Sequence, residues 1–245
     1  MALLITQARN ELVRRVVAAD PPRRLGRPRS LTVVQTLDRI MYVCRTGCQW
    51  SQLPTEGHVS YKTVYHRFNV WSKRRVFEDA FYNLARLYTA ERKLPLVVDT
   101  TSVKNVFGTQ VCGRNHADRA RKATKVSLLA DSTGTPLTLA FHACNKNDCT
   151  TFRHLLDIAS SKLSSLRGHG CVYADKGYDS LTNRAVCARH ELAAHIPRRG
   201  TVEGWSSVRY VVEVVFARLD RFRRVIMRYD AGPVSIAVGS GVFDV

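Results

Sequence analysis

The sequence predicts an α/β domain built on a mixed sheet flanked by helices, preceded by a small all-α domain. Apolar residues recur at helical spacing from Leu31 to Leu87, and at Leu94-Pro95 the pattern changes to short extended apolar runs. Strands in series, then a helix, another strand and a late helix are typical of a mixed-sheet α/β domain. The 245 residues, of which 45% are hydrophobic, suffice for one sizeable domain and one small one.

Residues 1–30 precede the all-α domain and are predicted to form a short helix followed by a basic arm. The arm is interrupted by Asp20-Pro21-Pro22 and Gly26-Arg27-Pro28. Its basic side chains are Arg23, Arg24, Arg27 and Arg29. Such an arm can lie along DNA phosphates or in a minor groove, and the alternative is a solvated loop.

The all-α domain, residues 31–94, is predicted to contain three helices joined by short turns. The first ends at a C-cap glycine, Gly47, and the second begins at a capping serine, Ser60. The third is expected to bury Phe77, Phe81, Leu84 and Leu87.

Three such helices suit a helix-turn-helix unit, in which the second helix enters the major groove of DNA. Its predicted outward side chains are Lys62, Tyr65, His66, Arg67 and Asn69. Because any small helical bundle has polar outer faces, a bundle without DNA contacts is the alternative.

The α/β domain is predicted over residues 95–230. Strands are expected at residues 96–98, 125–130, 136–142 and 171–174, with a helix at residues 151–166. Asp131-Ser132-Thr133-Gly134 provides the hairpin turn between the second and third strands.

The composition favours a polyanionic partner. Thirty-eight Lys and Arg against twenty Asp and Glu give a formal net charge of +18, which concentrates polyanions near the surface. Nucleic acid is the leading partner and an anionic membrane surface the rival. Because no apolar run approaches the roughly 20 residues that cross a bilayer, and no signal peptide or lipidation motif is present, we expect no membrane attachment. The expected location is intracellular and DNA-associated, in the nucleoid or, in a eukaryotic host, the nucleus.

The cysteines do not indicate a disulfide framework or a zinc site. Their number is odd, and their spacing completes no recognisable zinc pattern. We expect reduced thiols at Cys44, Cys48, Cys112, Cys144, Cys149, Cys171 and Cys187.

Two carboxylates, Asp99 and Asp175, follow directly after predicted buried strands. Burying their charge is costly unless something positive meets it, and a divalent cation would do so. If the two strands are neighbours in one sheet, both carboxylates lie at the same edge and can share Mg²⁺ or Mn²⁺. For each residue the alternative is a turn former or a helix cap.

Glu213 is a third candidate because it lies beside the predicted buried stripe of a late helix. Arg209, one turn earlier, could hold this carboxylate or a DNA phosphate, and the alternative is a surface ion pair between the two. Three carboxylates can hold two metal ions about 3.5 to 4 Å apart, which activate a nucleophile and stabilise the leaving oxygen of a phosphodiester. The stripe itself consists of Val212, Val215, Phe216, Leu219, Phe222 and Ile226.

Several stretches, in one order along the chain, match a known family. In the first half they include Gly26-Arg27-Pro28, the run from Tyr42 to Pro54 and the run from Thr63 to Phe68. In the second half they are the runs from Val98 to Lys104, from Ala174 to Ser180 and from Arg209 to Glu213. Together they resemble the insertion-sequence transposases of the "five" group, whose three catalytic blocks look like the last three runs.

The resemblance implies an RNase H-like fold and a DNA transposase that cuts element ends and joins the freed 3′-hydroxyl to target DNA. It also implies an acidic triad at Asp99, Asp175 and Glu213, two Mg²⁺ or Mn²⁺ ions, and a homo-oligomer acting on terminal inverted repeats. Asp148 corresponds to a family element of secondary importance. Basic residues expected to contact DNA phosphates are Arg114, Arg121, Lys122, Lys125, Lys176 and Arg209.

Two departures from the family keep other functions open. Related sequences carry Tyr seven residues before the Glu and Lys seven after, where this chain has Ser206 and Asp220. Residues 231–245 are expected to be a truncated tail. The alternatives are a transposase-derived DNA-binding protein with decayed catalysis and a two-metal nuclease that does not join strands.

Overall fold

A computed structural model describes residues 2–20, 30–54, 59–107, 110–163, 166–198, 200 and 208–228. The predicted basic arm with Arg27, the position of Ser206 and the predicted tail lie outside these residues. The chain forms two compact units. The described part of Met1–Leu84 belongs to one unit with Leu219–Ile226, and Ala85–Arg218 belongs to the other with Met227 and Arg228.

Two helices of the first unit begin at side-chain caps, and one of them ends at a glycine. In the second helix the Thr32 hydroxyl accepts a bond from the Gln35 N–H while the Gln35 side chain accepts from the Thr32 N–H, and Gly47 ends that helix with a φ of +69°. Ser60 caps the third helix, as predicted. The helices are α1 (Ala2–Ala19), α2 (Val33–Thr46), α3 (Tyr61–Lys73), the first part of α4 (Val76–Glu91), and α8 (Arg223–Ile226).

Arg67 was expected to point outward from α3, and that prediction is wrong. Only 7% of Arg67 is exposed, and its guanidinium donates to the Leu31 carbonyl at 2.9 Å and to the Thr36 hydroxyl at 2.5 Å. The two hydrogen bonds offset part of the cost of removing the guanidinium from water, so Arg67 can lie beside the apolar stripe of α3.

The second unit is built on a mixed sheet in the order of an RNase H-like fold. The long strand β1 (Leu96–Asn105) pairs antiparallel with β3 (Arg121–Asp131), which pairs antiparallel with β4 (Pro136–Ala143). On its other side β1 is parallel to β5 (Cys171–Tyr173), and β5 is parallel to β6 (Ala193–His195). Two short strands complete the sheet. β2 (Gly113–Asn115) pairs antiparallel with β3, and β7 (Met227–Arg228) pairs parallel with the end of β1.

The hairpin turn between β3 and β4 lies where the sequence predicts it. Gly134 adopts a φ of +84°, and the buried carboxylate of Asp131 accepts bonds from the Thr133 and Thr135 N–H groups. Tyr88 donates its hydroxyl to the other oxygen of Asp131 at 2.7 Å. These partners make Asp131 a structural carboxylate.

The helices of the second unit are the last part of α4, α5 (Asp148–Lys162), α6 (Leu181–Arg189) and α7 (Val208–Leu219). Neither α6 nor the strand β6 was predicted, because both are short and have little apolar periodicity. Leu87 was expected to be buried in α4 but is 61% exposed, since the inner face there runs through Ala85 and Thr89. Within the described part of the chain, every helix is too short or too polar to cross a membrane.

The late helix was predicted as one element from Val212 to Ile226, and this is wrong. α7 ends at Leu219, and a turn in which the Phe222 N–H donates to the Leu219 carbonyl leads into α8. Both Leu219 and Phe222 are buried on either side of the break. Because the turn preserves the three-residue spacing of buried side chains, apolar periodicity could not reveal it.

Candidate active site at the strand ends

Asp99 and Asp175 lie at the same edge of the sheet. The parallel register between β1 and β5 pairs Leu96 with Val172 and Val97 with Tyr173. Continued by two residues, this register sets Asp99 beside Asp175, which directly follows β5 at the start of a short 3₁₀ helix. The backbone of Asp175, just beyond the end of β5, therefore lies at the same sheet edge as Asp99 within β1.

The two carboxylates differ in their hydrogen bonding. One oxygen of Asp99 accepts the N–H of Thr100 at 2.8 Å. Oδ1 of Asp175 is buried and has no hydrogen-bond partner among the described residues. An unsatisfied buried carboxylate oxygen is costly, and a cation would remove that cost.

Tyr178 lies one turn after Asp175, with its N–H donating to the Asp175 carbonyl at 2.9 Å, and was not singled out from the sequence. Only 2% of the residue is exposed, and its hydroxyl has no hydrogen-bond partner of ordinary geometry within the described ranges. Burial raises the pKa of Tyr178, and the charges of Asp99, Asp148 and Asp175 raise it further. The hydroxyl therefore remains protonated and uncharged at neutral pH.

Asp148, the first residue of α5, belongs to the same group but has a cation of its own. The Lys125 ammonium lies 2.6 Å from Oδ1 of Asp148 and 2.5 Å from the Lys146 carbonyl oxygen. The Thr100 hydroxyl lies 3.4 Å from the same Asp148 oxygen. The Asp148 side chain is 38% exposed.

Lys125 was expected to contact DNA phosphates from an exposed position, but its ammonium is paired within the protein. Its side chain is only 12% exposed, and its ammonium is engaged by Asp148 and the Lys146 carbonyl. On β3 it is paired with Ser102 of β1 and His142 of β4, so it starts from the interior of the sheet. The sequence of a basic run does not predict which of its side chains is buried.

Glu213 lies on α7 and is exposed. Its neighbours Val211 and Val215 lie against Gly134 of the β3–β4 turn, where an added Cβ would be 3.4 Å from each side chain. Among the described residues, no three His, Cys, Asp or Glu side chains are close enough together to hold a metal ion. The structure therefore brings Asp99 and Asp175 together and does not gather Glu213 into a coordination shell with them; its place in the triad remains a prediction.

The other residues predicted to bind DNA fall into three groups. Lys62, Tyr65 and His66 are exposed on α3, and Asn69 is partly exposed there. The side chain of Arg209 lies outside the described part of the structure. Exposed basic side chains of the second unit are Arg114, Arg121, Lys122 and Lys176.

The strand-end group fits a divalent cation. Asp99 in β1 and Asp175 just after β5 supply hard carboxylate oxygens, and one of those oxygens is buried without a partner among the described residues. Mg²⁺ and Mn²⁺ prefer such oxygen ligands. The seven cysteines form no disulfide, and Cys149, next to Asp148, donates its thiol to the Gly177 carbonyl at 3.1 Å.

Comparison with known proteins gives matches over both halves of the chain. Residues 91–232 match the family described as "Transposase DDE domain", and residues 5–81 match "Putative transposase of IS4/5 family". The "Putative transposase for insertion sequence element IS402" of Burkholderia cepacia is 34% identical over 152 residues, which cover 59% of this chain and 69% of that protein. The corresponding protein of element IS6501 in Brucella ovis is 34% identical over 113 residues, 43% of this chain and 82% of that protein.

Likeness to solved structures is distant. The Mos1 transposase paired-end complex with left transposon end aligns at 11% identity and a TM-score of 0.30, covering 92% of this chain and 83% of that one. A pre-cleavage Mos1 transpososome aligns over the same shares at 9% identity and a TM-score of 0.32.

Proposed function

This chain belongs to the family of transposases with a DDE domain, and from that premise we propose that it cuts phosphodiester bonds at the ends of a DNA element and joins the freed 3′-hydroxyl to target DNA. The observation that supports the site is the pair Asp99 and Asp175 at one sheet edge, with Oδ1 of Asp175 buried and without a partner among the described residues. In this proposal residues 31–94 bind DNA and residues 95–230 carry the chemistry.

Asp99, Asp175 and Glu213 would hold two Mg²⁺ or Mn²⁺ ions. When bound, such ions activate a water or a 3′-hydroxyl and stabilise the leaving oxygen, so the protein needs no covalent nucleophile. Asp99 lies within β1 and Asp175 follows two residues after β5, and the parallel pairing of these strands would constrain both backbones before DNA binds. Glu213 would approach from α7, whose position beside the β3–β4 turn is set by Val211 and Val215.

DNA is the proposed partner, as terminal inverted repeats and as target. The net charge of +18 and the exposed basic residues of β2 and β3 suit a phosphate backbone. Exposed Lys62, Tyr65 and His66 on α3 are proposed to contact the end sequence, together with Asn69. Arg27, Arg209 and Lys176 would add phosphate contacts, and the protein would act as a homo-oligomer on DNA.

The proposal is tested with DNA that carries the inverted repeats flanking the coding sequence. We expect Mg²⁺ or Mn²⁺ to support nicking and joining, and Ca²⁺ to support binding with little chemistry, because its coordination is larger and less strict. Asp99→Asn, Asp175→Asn and Glu213→Gln should each keep end binding in gel shifts and lose nicking by at least about a hundredfold, since they remove metal-ligand charge with little change in shape.

Asp157→Asn is the matched control, because Asp157 is an exposed carboxylate paired with Arg189 on the surface of the same unit. It should cut like the native protein. Full cutting in chelator, or by the three triad variants, would refute the metal site. Nicking without joined products would indicate a nuclease, and end binding without nicking under any metal would indicate a protein with decayed catalysis.

A further inference from the structure

The Lys125–Asp148 ion pair has no role in the chemistry proposed above, yet it lies at the edge of the carboxylate group. Asp148 contributes to the electrostatic environment of the Tyr178 hydroxyl together with Asp99 and Asp175. Its Oδ1 lies 3.4 Å from the hydroxyl of Thr100, the residue that follows Asp99, so Asp148 brings a third negative charge close to that group. Without compensation, that charge would repel the other two.

The structure provides the compensation from inside the sheet. The Lys125 side chain is 12% exposed and spans from β3 to the first turn of α5, where it meets Asp148 at 2.6 Å. A second bond, to the Lys146 carbonyl at 2.5 Å, fixes the ammonium in place. The ammonium is thus held by two acceptors on the segment that begins α5.

The neighbouring histidine does not compete for this role. His142 is paired with Lys125 across β3 and β4. Burial lowers the pKa of His142 to about 4, and the charges of His154, Lys146 and Lys125 contribute to the lowering. At neutral pH His142 is therefore uncharged, and Lys125 is the cation that faces Asp148.

A chain of contacts connects the ion pair to the strand-end carboxylates. The Thr100 hydroxyl lies 3.4 Å from Oδ1 of Asp148, and the Thr100 N–H donates to Asp99 at 2.8 Å. A movement of Asp148 would therefore change the contacts of Thr100, the residue that follows Asp99.

We infer that Lys125 neutralises Asp148 and keeps this carboxylate out of the metal-binding group, so that the ion pair sets the affinity of the site for a divalent cation. This inference rests on the metal site of the proposed function. Asp148 is then a positioning residue, and the ligands are the strand-end carboxylates and Glu213. An ion pair of zero net charge leaves the charge of the site to those ligands alone.

Mn²⁺ binding to the full chain without DNA tests this, with free Mn²⁺ measured by electron paramagnetic resonance. Lys125→Met should tighten binding about tenfold, because it releases an uncompensated carboxylate beside the site. Asp148→Asn should weaken binding about tenfold, because it leaves the ammonium uncompensated. The double variant Lys125→Met/Asp148→Asn should return to within about threefold of the native affinity, since it removes a neutral pair.

The double variant separates the inference from its rival, in which Asp148 is itself a metal ligand. If the double variant binds as weakly as Asp148→Asn alone, Asp148 is a ligand and the inference fails. It also fails if Lys125→Met binds Mn²⁺ no more tightly than the native protein.

Two further variants guard against misfolding and nonspecific charge effects. Lys125→Arg keeps the charge and should bind Mn²⁺ like the native chain, and Lys93→Met removes an exposed lysine near Gly168 and should also leave binding unchanged. Thermal unfolding of each variant identifies one that does not fold. If Asp99→Asn and Asp175→Asn bind Mn²⁺ like the native chain, the metal site of the proposed function fails; if they lose binding while Lys125→Met has no effect, only the present inference fails.

Discussion

The buried polar side chains of the two units differ in whether hydrogen-bond or ion-pair partners satisfy them. Asp131, Arg67 and Asp148 are ionisable and at least partly buried, and each has partners that satisfy it. Asp175 has a buried oxygen without one among the described residues. That contrast supports the proposal that Asp175 binds a cation, because a buried carboxylate oxygen is costly unless something satisfies it.

Arg67 supplies a test of this contrast. Arg67→Met keeps the length of the side chain but removes two buried donors, leaving the Leu31 carbonyl and the Thr36 hydroxyl without their partner. We expect the free energy of unfolding to fall by about 2 to 3 kcal/mol. Urea denaturation of the full chain measures it, with exposed His66→Ala as the control that should change stability by less than about 0.5 kcal/mol. Equal stability of the two variants would contradict the buried role of Arg67.

His142 predicts a pH dependence of stability. Its pKa is about 4 in the folded chain, whereas an unfolded histidine titrates near about 6.5. Between these values the unfolded chain binds the proton and the folded chain does not, so stability is lost as the pH falls from about 6.5 towards about 4. The loss is at most about 3 kcal/mol.

The measurement is the difference in unfolding free energy between the native protein and His142→Leu at several pH values, since the carboxylates titrate in both. That difference should change with pH in the stated window. His116→Gln, at an exposed site, should follow the native curve. A native curve parallel to that of His142→Leu would show that His142 does not resist protonation.

At the scale of elements, the end of a helix can depend on a tertiary contact as well as on its local capping residue. Gly47 ends α2 with a φ of +69°, and a Cβ added there would lie 2.8 Å from Cβ of Arg223 at the start of α8. Both conditions require glycine: the backbone is in the left-handed region, and no side chain fits the gap.

Gly47→Ala should therefore destabilise the protein by more than the backbone strain alone. Gly170→Ala is the matched comparison, because Gly170 has a φ of +77° and nothing within 4 Å of an added Cβ. We expect about 1 kcal/mol for Gly170→Ala and about 2 to 4 kcal/mol for Gly47→Ala, read from thermal or urea unfolding. A smaller loss for Gly47→Ala would mean that α8 moves aside at little cost.

At the scale of the whole molecule, the excess of 18 positive charges predicts a strong salt dependence of DNA binding. Each neutralised phosphate releases counterions, so log K should fall linearly with log salt concentration, by about a thousandfold or more between about 50 and 200 mM. Lys122→Ala should reduce the slope by about one, because Lys122 is exposed on β3. Affinity that hardly changes with salt would contradict phosphate binding by this surface.

The sequence by itself determined the helical first half, four of the strands and the identity of the candidate carboxylates. Helical and extended apolar periodicity predicted the helical region and the strands β1, β3, β4 and β5, and the caps at Gly47 and Ser60 are local to the chain. The family was also predictable, because its motifs are contiguous runs.

Only the tertiary structure decided which polar side chains are buried and which acceptors they bind. Lys125 and Arg67 come from basic, mixed stretches that read as outward faces, and they are buried because acceptors far along the chain lie opposite them. The partners of Lys125 are 21 and 23 residues away and the partners of Arg67 are 31 and 36 residues away. Periodicity reports the side on which apolar residues fall, whereas the burial of a charge depends on a partner that folding supplies.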